Sequence, residues 1–467
     1  MDFFINFFKF FLKKRPLNRK KIKKLIDSSD AFCILPFKHI LLQPSGEATS
    51  CCMSDVKIRD DNNKVIEWPK VNFKEQLWEG SFYKKLRSNM IKGIKSDVCK
   101  RCYEQEESGS KSYRNGQNQR FLNNTRGTGK HGEKLYGTPD APQRANLEIT
   151  SIDVTTGNNH GHPIDWDIRF SRLCNLKCRM CDSASSSQIY KETQDNPQLQ
   201  PYLGHAVGDE DHKFNYGEKD ATYVLETLPH VDRLKILGGE PTLDPQVQEV
   251  LDEAIRIGRD DIYLDITTNL TNVTDRWLES LSRFKDVQLQ FSIDATEKTN
   301  EYIRTTSHWP QIEKNIRRYL NFEIETNTNW MLSFHQTVSI YNIFDFWKLH
   351  KWIESLRKED KFNRLETEFV YHLYVLHSPE ELDARILPLR YRAEILNNFN
   401  HYRPNIKQPH EDTGIQSVIT LLESDARPER ADELLKLCKK RTEAVDKIRG
   451  HYIKDYIPNV ANVLNSG

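Results

Sequence analysis

The chain has 467 residues, 37% of them hydrophobic and 29% charged, enough for two or three domains with a large polar surface. Lysine and arginine number 68 against 67 acidic residues, a formal net charge of +1, so no global field draws the protein to nucleic acid or to a membrane. No apolar run approaches the ~20 residues of a bilayer-spanning helix, and nine cysteines without a secretory signal point to a reducing cytoplasm and to metal or cluster chemistry, not disulfides.

Residues 1–29 open with an aromatic run, Phe3 to Leu12, followed by a basic cluster from Lys13 to Lys24. A signal peptide has the opposite order. The run reads as a helix on the protein's own surface with a solvated basic linker, the alternative being an interfacial helix touching an anionic membrane or RNA.

In 30–107 a hairpin is expected, 40–43 and 47–50 about a turn containing Gly46. Cys33 and Cys51 bracket it, and Cys99 and Cys102 form a C-x2-C pair. These four thiols can serve one centre, a tetrahedral zinc or a fully ligated 4Fe-4S cluster. Cys52 could replace Cys51, although spacing favours Cys51. Residues 108–162 are rich in Gly, Ser and Asn and read as a polar linker or irregular wrap.

From 163 to 390 strands alternate with helices, the pattern of a parallel sheet built of βαβ units. Strands are expected at 165–171, 234–237, 261–268, 287–293, 330–338 and 367–375, and helices at 183–193, 245–257, 275–284, 311–322, 344–356 and 389–399. Ligand sites of such sheets lie at the carboxyl ends of the strands. Cys174, Cys178 and Cys181, spaced C-x3-C-x2-C, follow the first strand, and Gly238-Gly239-Glu240-Pro241 closes the second. Three thiolates on one loop can ligate three irons of a 4Fe-4S cube and leave the fourth open. The acidic-rich 209–220 reads as a solvated loop, 391–467 as a helical extension ending in a tail from Val460, and Cys438 as an ordinary thiol.

The cysteine spacing together with Gly238-Gly239-Glu240-Pro241 resembles the radical S-adenosylmethionine (SAM) enzymes. The resemblance implies a partial (β/α)6 barrel, an α/β fold, with SAM on the open iron and reductive cleavage to a 5′-deoxyadenosyl radical that takes hydrogen from a peptide or small molecule. It implies adenine contact from Met180, which replaces the usual aromatic residue, and amine contacts from Gly238, Gly239 and Glu240. Asn269, Ser292 and Asp294 would serve the ribose hydroxyls and methionine carboxylate, with Arg304 a partner for that carboxylate. The N-terminal cysteine pattern resembles the twitch and SPASM auxiliary domains, which in the family usually follow the barrel; twitch, with one cluster, fits the cysteine count. An electron donor such as a flavodoxin or ferredoxin is implied as partner. Two alternatives remain, an RNA-modifying radical SAM enzyme gripping phosphates with its basic segment, and a non-enzymatic iron-sulfur or zinc scaffold. His335, Thr337, His372 and Tyr374 share strand faces that would line a substrate cavity.

Overall fold

The computed structural model describes residues 19–107, 111–123, 157–204, 221–328, 330–365, 369–406, 409–424 and 429–466. The aromatic run, the acidic 209–220 segment and most of the proposed linker lie outside these residues. Among the described residues no helix is long and apolar enough to cross a membrane.

Among the described residues ten strands are present: β1 (His39–Leu42), β2 (Ala48–Thr49), β3 (Asp165–Arg169), β4 (Lys177–Cys178), β5 (Arg233–Leu237), β6 (Tyr263–Thr268), β7 (Val287–Ser292), β8 (Arg304–Thr305), β9 (Trp330–Val338) and β10 (Phe369–Val375). Eight of them form one sheet in the order β10-β9-β7-β6-β5-β3-β1-β2, in which β3, β5, β6, β7, β9 and β10 are all parallel. The fold is mixed α/β around this sheet. Its outer face is apolar: Ile168, Leu234, Ile236, Leu264, Ile266, Leu289, Phe291, Leu332 and Phe334 join the main core. That core also takes the stripe Val247, Val250, Leu251 and Ala254 of the helix Pro245–Arg256, which starts where Asp244 accepts from the Gln246 amide at 3.0 Å.

Alternation sends the other side chains to the concave face, and these are polar. Asp165, Asp167, Asp265 and Gln288 are all buried there. Asp165 is held by Lys38 (2.9 Å), His39 (3.1 Å) and Arg233 (3.0 Å), and Arg233 also pairs with Asp265.

The N-terminal hairpin forms as expected, Gly46 taking φ 84° at its turn. Its place was not foreseen. β1 lies parallel to β3, with His39 opposite Asp165, so the hairpin extends the barrel sheet at its first edge. Part of the proposed linker is a helix, Tyr113–Asn123, whose Asn118 accepts from the Ile34 amide (2.9 Å) and donates to the Phe32 carbonyl (3.0 Å). The expected tail is also corrected: Pro458–Asn465 is a helix with Val460, Ala461, Val463 and Leu464 buried, a stripe at helical spacing.

Candidate functional site

The loop after β3 carries Cys174, Cys178 and Cys181 around the buried side chain of Leu176. Three sets of contacts fix it. Ser187 donates to the Cys174 carbonyl at 3.1 Å and Ser186 to the Leu176 carbonyl at 2.7 Å, tying the loop to the start of the helix Ser187–Asp195. β4 pairs antiparallel with β8, placing Cys178 opposite Arg304. From the far end of the chain, the helix Ala431–Arg449 sends Arg441 to the Arg179 carbonyl and Arg449 to the Lys177 carbonyl, both at 2.7 Å. Arg449 also pairs with Glu192 (2.6 Å), and Arg179 with Asp446 (2.7 Å) while lying over the Tyr302 ring. Sequence reasoning missed this clamp, since arginines in a charged helical pattern read as a solvated face.

Gly238 and Gly239 lie directly against the entry to that loop. The Gly239 amide donates to Ser171 (3.0 Å) and the Glu240 amide to Leu173 (2.7 Å). A Cβ on Gly239 would stand 2.2 Å from the Leu173 carbonyl oxygen, and Gly238 has φ 135°. Both glycines are therefore required by backbone packing, whatever ligand approaches them. Glu240 is buried, and its carboxylate accepts from the Thr242 hydroxyl (2.7 Å), the Thr242 amide (3.2 Å), the Thr268 hydroxyl (2.8 Å) and the Asn269 amide (2.6 Å). It thus ties the ends of β5 and β6 together. Burial lifts its pKa above the usual carboxylate value, with the four hydrogen bonds opposing.

Asn269 turns its side-chain amide toward the Cys174 sulfur at 3.8 Å and the Asn175 side chain at 3.2 Å. Asp294 is fully buried: its carboxylate accepts from Arg304 Nε (2.7 Å) and the Thr337 amide (3.0 Å). Both of its oxygens are engaged inside the protein, which differs from a residue facing ribose. Burial works against the Arg304 charge, but Asp294 and the thiols of Cys178 and Cys181 hold its pKa above the ordinary value. Ser292 ends β7 opposite His335 on β9, and Met180 packs half-buried against the main core. The loop thiols differ among themselves. Burial, then Cys178, pushes Cys174 up to about 12; the hydrogen bond with Cys181 holds Cys178 below the usual thiol value and raises Cys181.

The four N-terminal cysteines come together from three segments. Cys33 is buried beside the Asn118 bonds, Cys51 follows β2, and Cys99 and Cys102 sit at the start of the helix Lys100–Glu107. Burial lifts Cys33 well above the usual thiol value, with Cys99, Cys51 and Cys102 adding; burial also takes Cys51 to about 12 and Cys99 to about 11. Burial lifts the neighbouring Cys52 thiol as well, with Asp167 adding and Lys235, a hydrogen bond with Tyr113 and Arg169 opposing. Among the described residues no three His, Cys, Asp or Glu side chains converge on a point that would hold one metal ion. A cubane asks for less convergence than a tetrahedral zinc, because each of its irons takes a separate thiolate.

On the concave face, the His335 ring lies 4.9 Å from His372 and is stacked on Tyr374 at 5.5 Å, with Ser333 Oγ at 2.9 Å from its Nε2. The pairs expected to share a face do so. Burial, then His372 and Lys235, pulls His335 down to about 3.

Residues 168–346 match the family model of the Radical SAM superfamily. No curated protein sequence matches the chain. Among solved structures, Streptococcus suis SuiB bound to S-adenosylmethionine aligns at 15% identity over 56% of this chain and 52% of that one, TM-score 0.32. Native anSMEcpe with bound AdoMet aligns at 17% over 50% and 58%, TM-score 0.32, and TYW1 with a lysine-pyruvate adduct at 14% over 49% and 70%, TM-score 0.26. The chain thus spans little more than half the length of the first two.

Proposed function

Residues 168–346 form a radical SAM domain, and from that premise we propose that the protein cleaves SAM reductively and uses the resulting radical on a peptide or small-molecule substrate. The observation that carries this reading is one loop of three thiols at the carboxyl end of β3, gripped by the Gly238-Gly239 turn and bordered by Asn269 and Arg304. The donor set fits a three-thiolate 4Fe-4S site, and Cys174, Cys178 and Cys181 would hold it. When bound, cluster and SAM supply an electron and a 5′-deoxyadenosyl radical.

The chain's own residues do the positioning. Glu240 fixes the turn at the ends of β5 and β6, so that the backbone of Gly238 and Gly239 can face an ammonium group. Asp294 locks Arg304 beside Cys178, leaving the guanidinium edge not used by Asp294 for a carboxylate. Met180 lies one residue before the third thiol, where a polarizable side chain can lie against adenine.

A second centre is part of the proposal. Cys33, Cys51, Cys99 and Cys102 would hold an auxiliary 4Fe-4S cluster in a twitch-like arrangement, supported by the apolar cluster around Cys33 against which Cys51 and Cys99 pack. Anaerobic reconstitution with dithionite tests the main reading: 5′-deoxyadenosine and methionine should accumulate even without substrate. A fully iron-loaded protein that leaves SAM intact would refute it.

A further inference from the structure

Asn269 follows the carboxyl end of β6, and its buried side chain is fully engaged. A side-chain amide has two acceptor lone pairs and two N–H donors. Asn269 Oδ1 accepts from the Thr271 backbone amide at 2.9 Å and from the Thr271 hydroxyl at 2.6 Å. Nδ2 donates to Asn175 Oδ1 at 3.2 Å and reaches Cys174 Sγ at 3.8 Å, a hydrogen-bond distance for an acceptor as large as sulfur. The two ends of the amide cannot be exchanged. A backbone N–H only donates, so the end facing Thr271 is the oxygen and the end facing the sulfur is the nitrogen. No donor or acceptor of this side chain remains for a ribose hydroxyl or a methionine carboxylate.

The backbone around Asn269 holds this direction. Its own backbone amide donates to Glu240 Oε2 at 2.6 Å and fixes the strand end. The next residue, Leu270, is buried and takes φ 66°, a left-handed conformation uncommon outside glycine. Asn315 donates to the Leu270 carbonyl at 2.6 Å, and the Leu270 amide donates to the Thr268 hydroxyl at 3.1 Å, so the turn is held on both sides. Asn175 is held from the opposite direction. Thr306, itself left-handed at φ 78°, donates from its hydroxyl to the Asn175 carbonyl at 2.8 Å. Among the described residues no other side-chain nitrogen donates to a sulfur of the loop.

We propose that Asn269 sets the reduction potential of the cluster held by this loop, donating from Nδ2 to the Cys174 sulfur, and that it is not a SAM ligand. The inference rests on the three-thiolate reading for the cluster itself. An added electron makes the sulfurs more negative, so a hydrogen bond donated to one of them is stronger in the reduced state and favours it. The electron comes from the external reductant and stays on the cluster, and no bond to Asn269 forms or breaks. Thr271 and Asn175 act through Asn269 by aiming its amide.

A redox titration of the anaerobically reconstituted full chain, with dithionite as reductant and EPR as readout, tests this without SAM. The loop cluster gives the signal that is missing when Cys174, Cys178 and Cys181 are replaced by Ala. Asn269→Leu keeps the volume and removes the donor, and it should disfavour reduction about tenfold, or about 59 mV for a one-electron couple. Asn269→Asp keeps an oxygen for Thr271 and turns a negative oxygen to the sulfur, so its potential should lie lower still. Loosening of the loop would instead admit water, which stabilises the more negative state and raises the potential. The parent alone gives a second reading that no folding defect can affect. A heavy-nitrogen label in the asparagine side-chain amides should add a nitrogen coupling to the pulsed EPR spectrum of the reduced loop cluster. An unmoved or raised potential in Asn269→Asp, or no coupling in the labelled parent, would overturn the proposal. So would a loss of SAM affinity of about tenfold in Asn269→Leu at an unchanged potential, which would make Asn269 a SAM ligand. Failure of the loop to assemble any cluster is a different result, and it refutes the three-thiolate reading itself.

Discussion

The two sets of cysteines are built in opposite ways. Cys174, Cys178 and Cys181 lie on one short loop, so their proximity is nearly guaranteed by the chain itself, and the fold only has to hold the loop still. It does so from a distance: Arg441 and Arg449 reach the loop carbonyls from more than 250 residues further on. Cys33, Cys51, Cys99 and Cys102 come from three segments, and their meeting depends on the hairpin, on the start of the helix Lys100–Glu107 and on Asn118 bracketing Cys33. A contiguous loop can keep an open position and remain ordered because outside groups carry the constraint. A dispersed set that held a metal centre would itself be a tie between segments, as structural metal sites are.

The largest effect that would break this comparison is removal of the loop thiols. Replacing Cys174, Cys178 and Cys181 with Ala should abolish 5′-deoxyadenosine formation while about four irons and four sulfides per chain remain at the other set. A colourless variant holding one zinc would show that the dispersed set is a zinc staple. Next in size is the clamp. Arg449→Ala leaves Glu192 buried with only Lys177 as a cationic partner and the Lys177 carbonyl unmatched, a loss of about 3–5 kcal/mol. Thermal unfolding should register it, and iron should leave the loop set before the N-terminal set. Equal loss from both would mean that the helix Ala431–Arg449 supports the whole molecule, not the loop.

Much of this was legible from the chain. The six barrel strands have a near-alternating pattern with apolar residues such as Leu234 and Ile236 on the outer face, and local spacing exposes both the three thiols and the glycine turn. What was not legible depends on partners remote in sequence. Nothing in His39–Leu42 encodes a parallel neighbour at Asp165–Ile168. Arg441 and Arg449 look solvated until Glu381 and Glu192 are known to face them. Glu240 was read as a ligand because a carboxylate beside glycines can bind an ammonium, yet its four donors come from Thr242, Thr268 and Asn269, of which only Thr242 is local. Val460, Val463 and Leu464 carried a helical stripe that the short segment between Pro458 and the end of the chain obscured.

Glu240→Gln sharpens the account of the loop at smaller cost. An amide cannot accept on both sides, so either the Asn269 amide or the Thr242 amide loses its acceptor, about 1–3 kcal/mol. SAM affinity should fall with it. The pH dependence has a definite sign. Burial raises the folded-state pKa of Glu240 above 4.5, so the folded protein binds the proton more tightly, and the stability it contributes falls as pH rises from 4.5 through the raised value. The gap between parent and variant in urea titrations should therefore narrow over that interval. A constant gap would mean that Glu240 is solvated.

The smallest effect belongs to His335, on the concave face of the sheet beside His372 and Tyr374. Its folded pKa is pulled down to about 3 from 6.5, by burial first and then by His372 and Lys235, so it is neutral in the folded protein wherever an unfolded histidine begins to charge. The unfolded chain then binds more protons between the two values. Stability from this group is complete above 6.5 and is lost as pH falls toward 3. Between pH 6.5 and 5.5 the loss should be about 1 kcal/mol. His335→Gln keeps a polar group near Ser333 and removes the titration, so its urea midpoint should fall less steeply than that of the parent over that unit of pH. Direct observation is available too: the His335 imidazole should show no protonation shift by NMR from pH 8 to 5. A shift centred near 6.5 would place the ring in water and open the stacked His335, His372 and Tyr374 face to solvent.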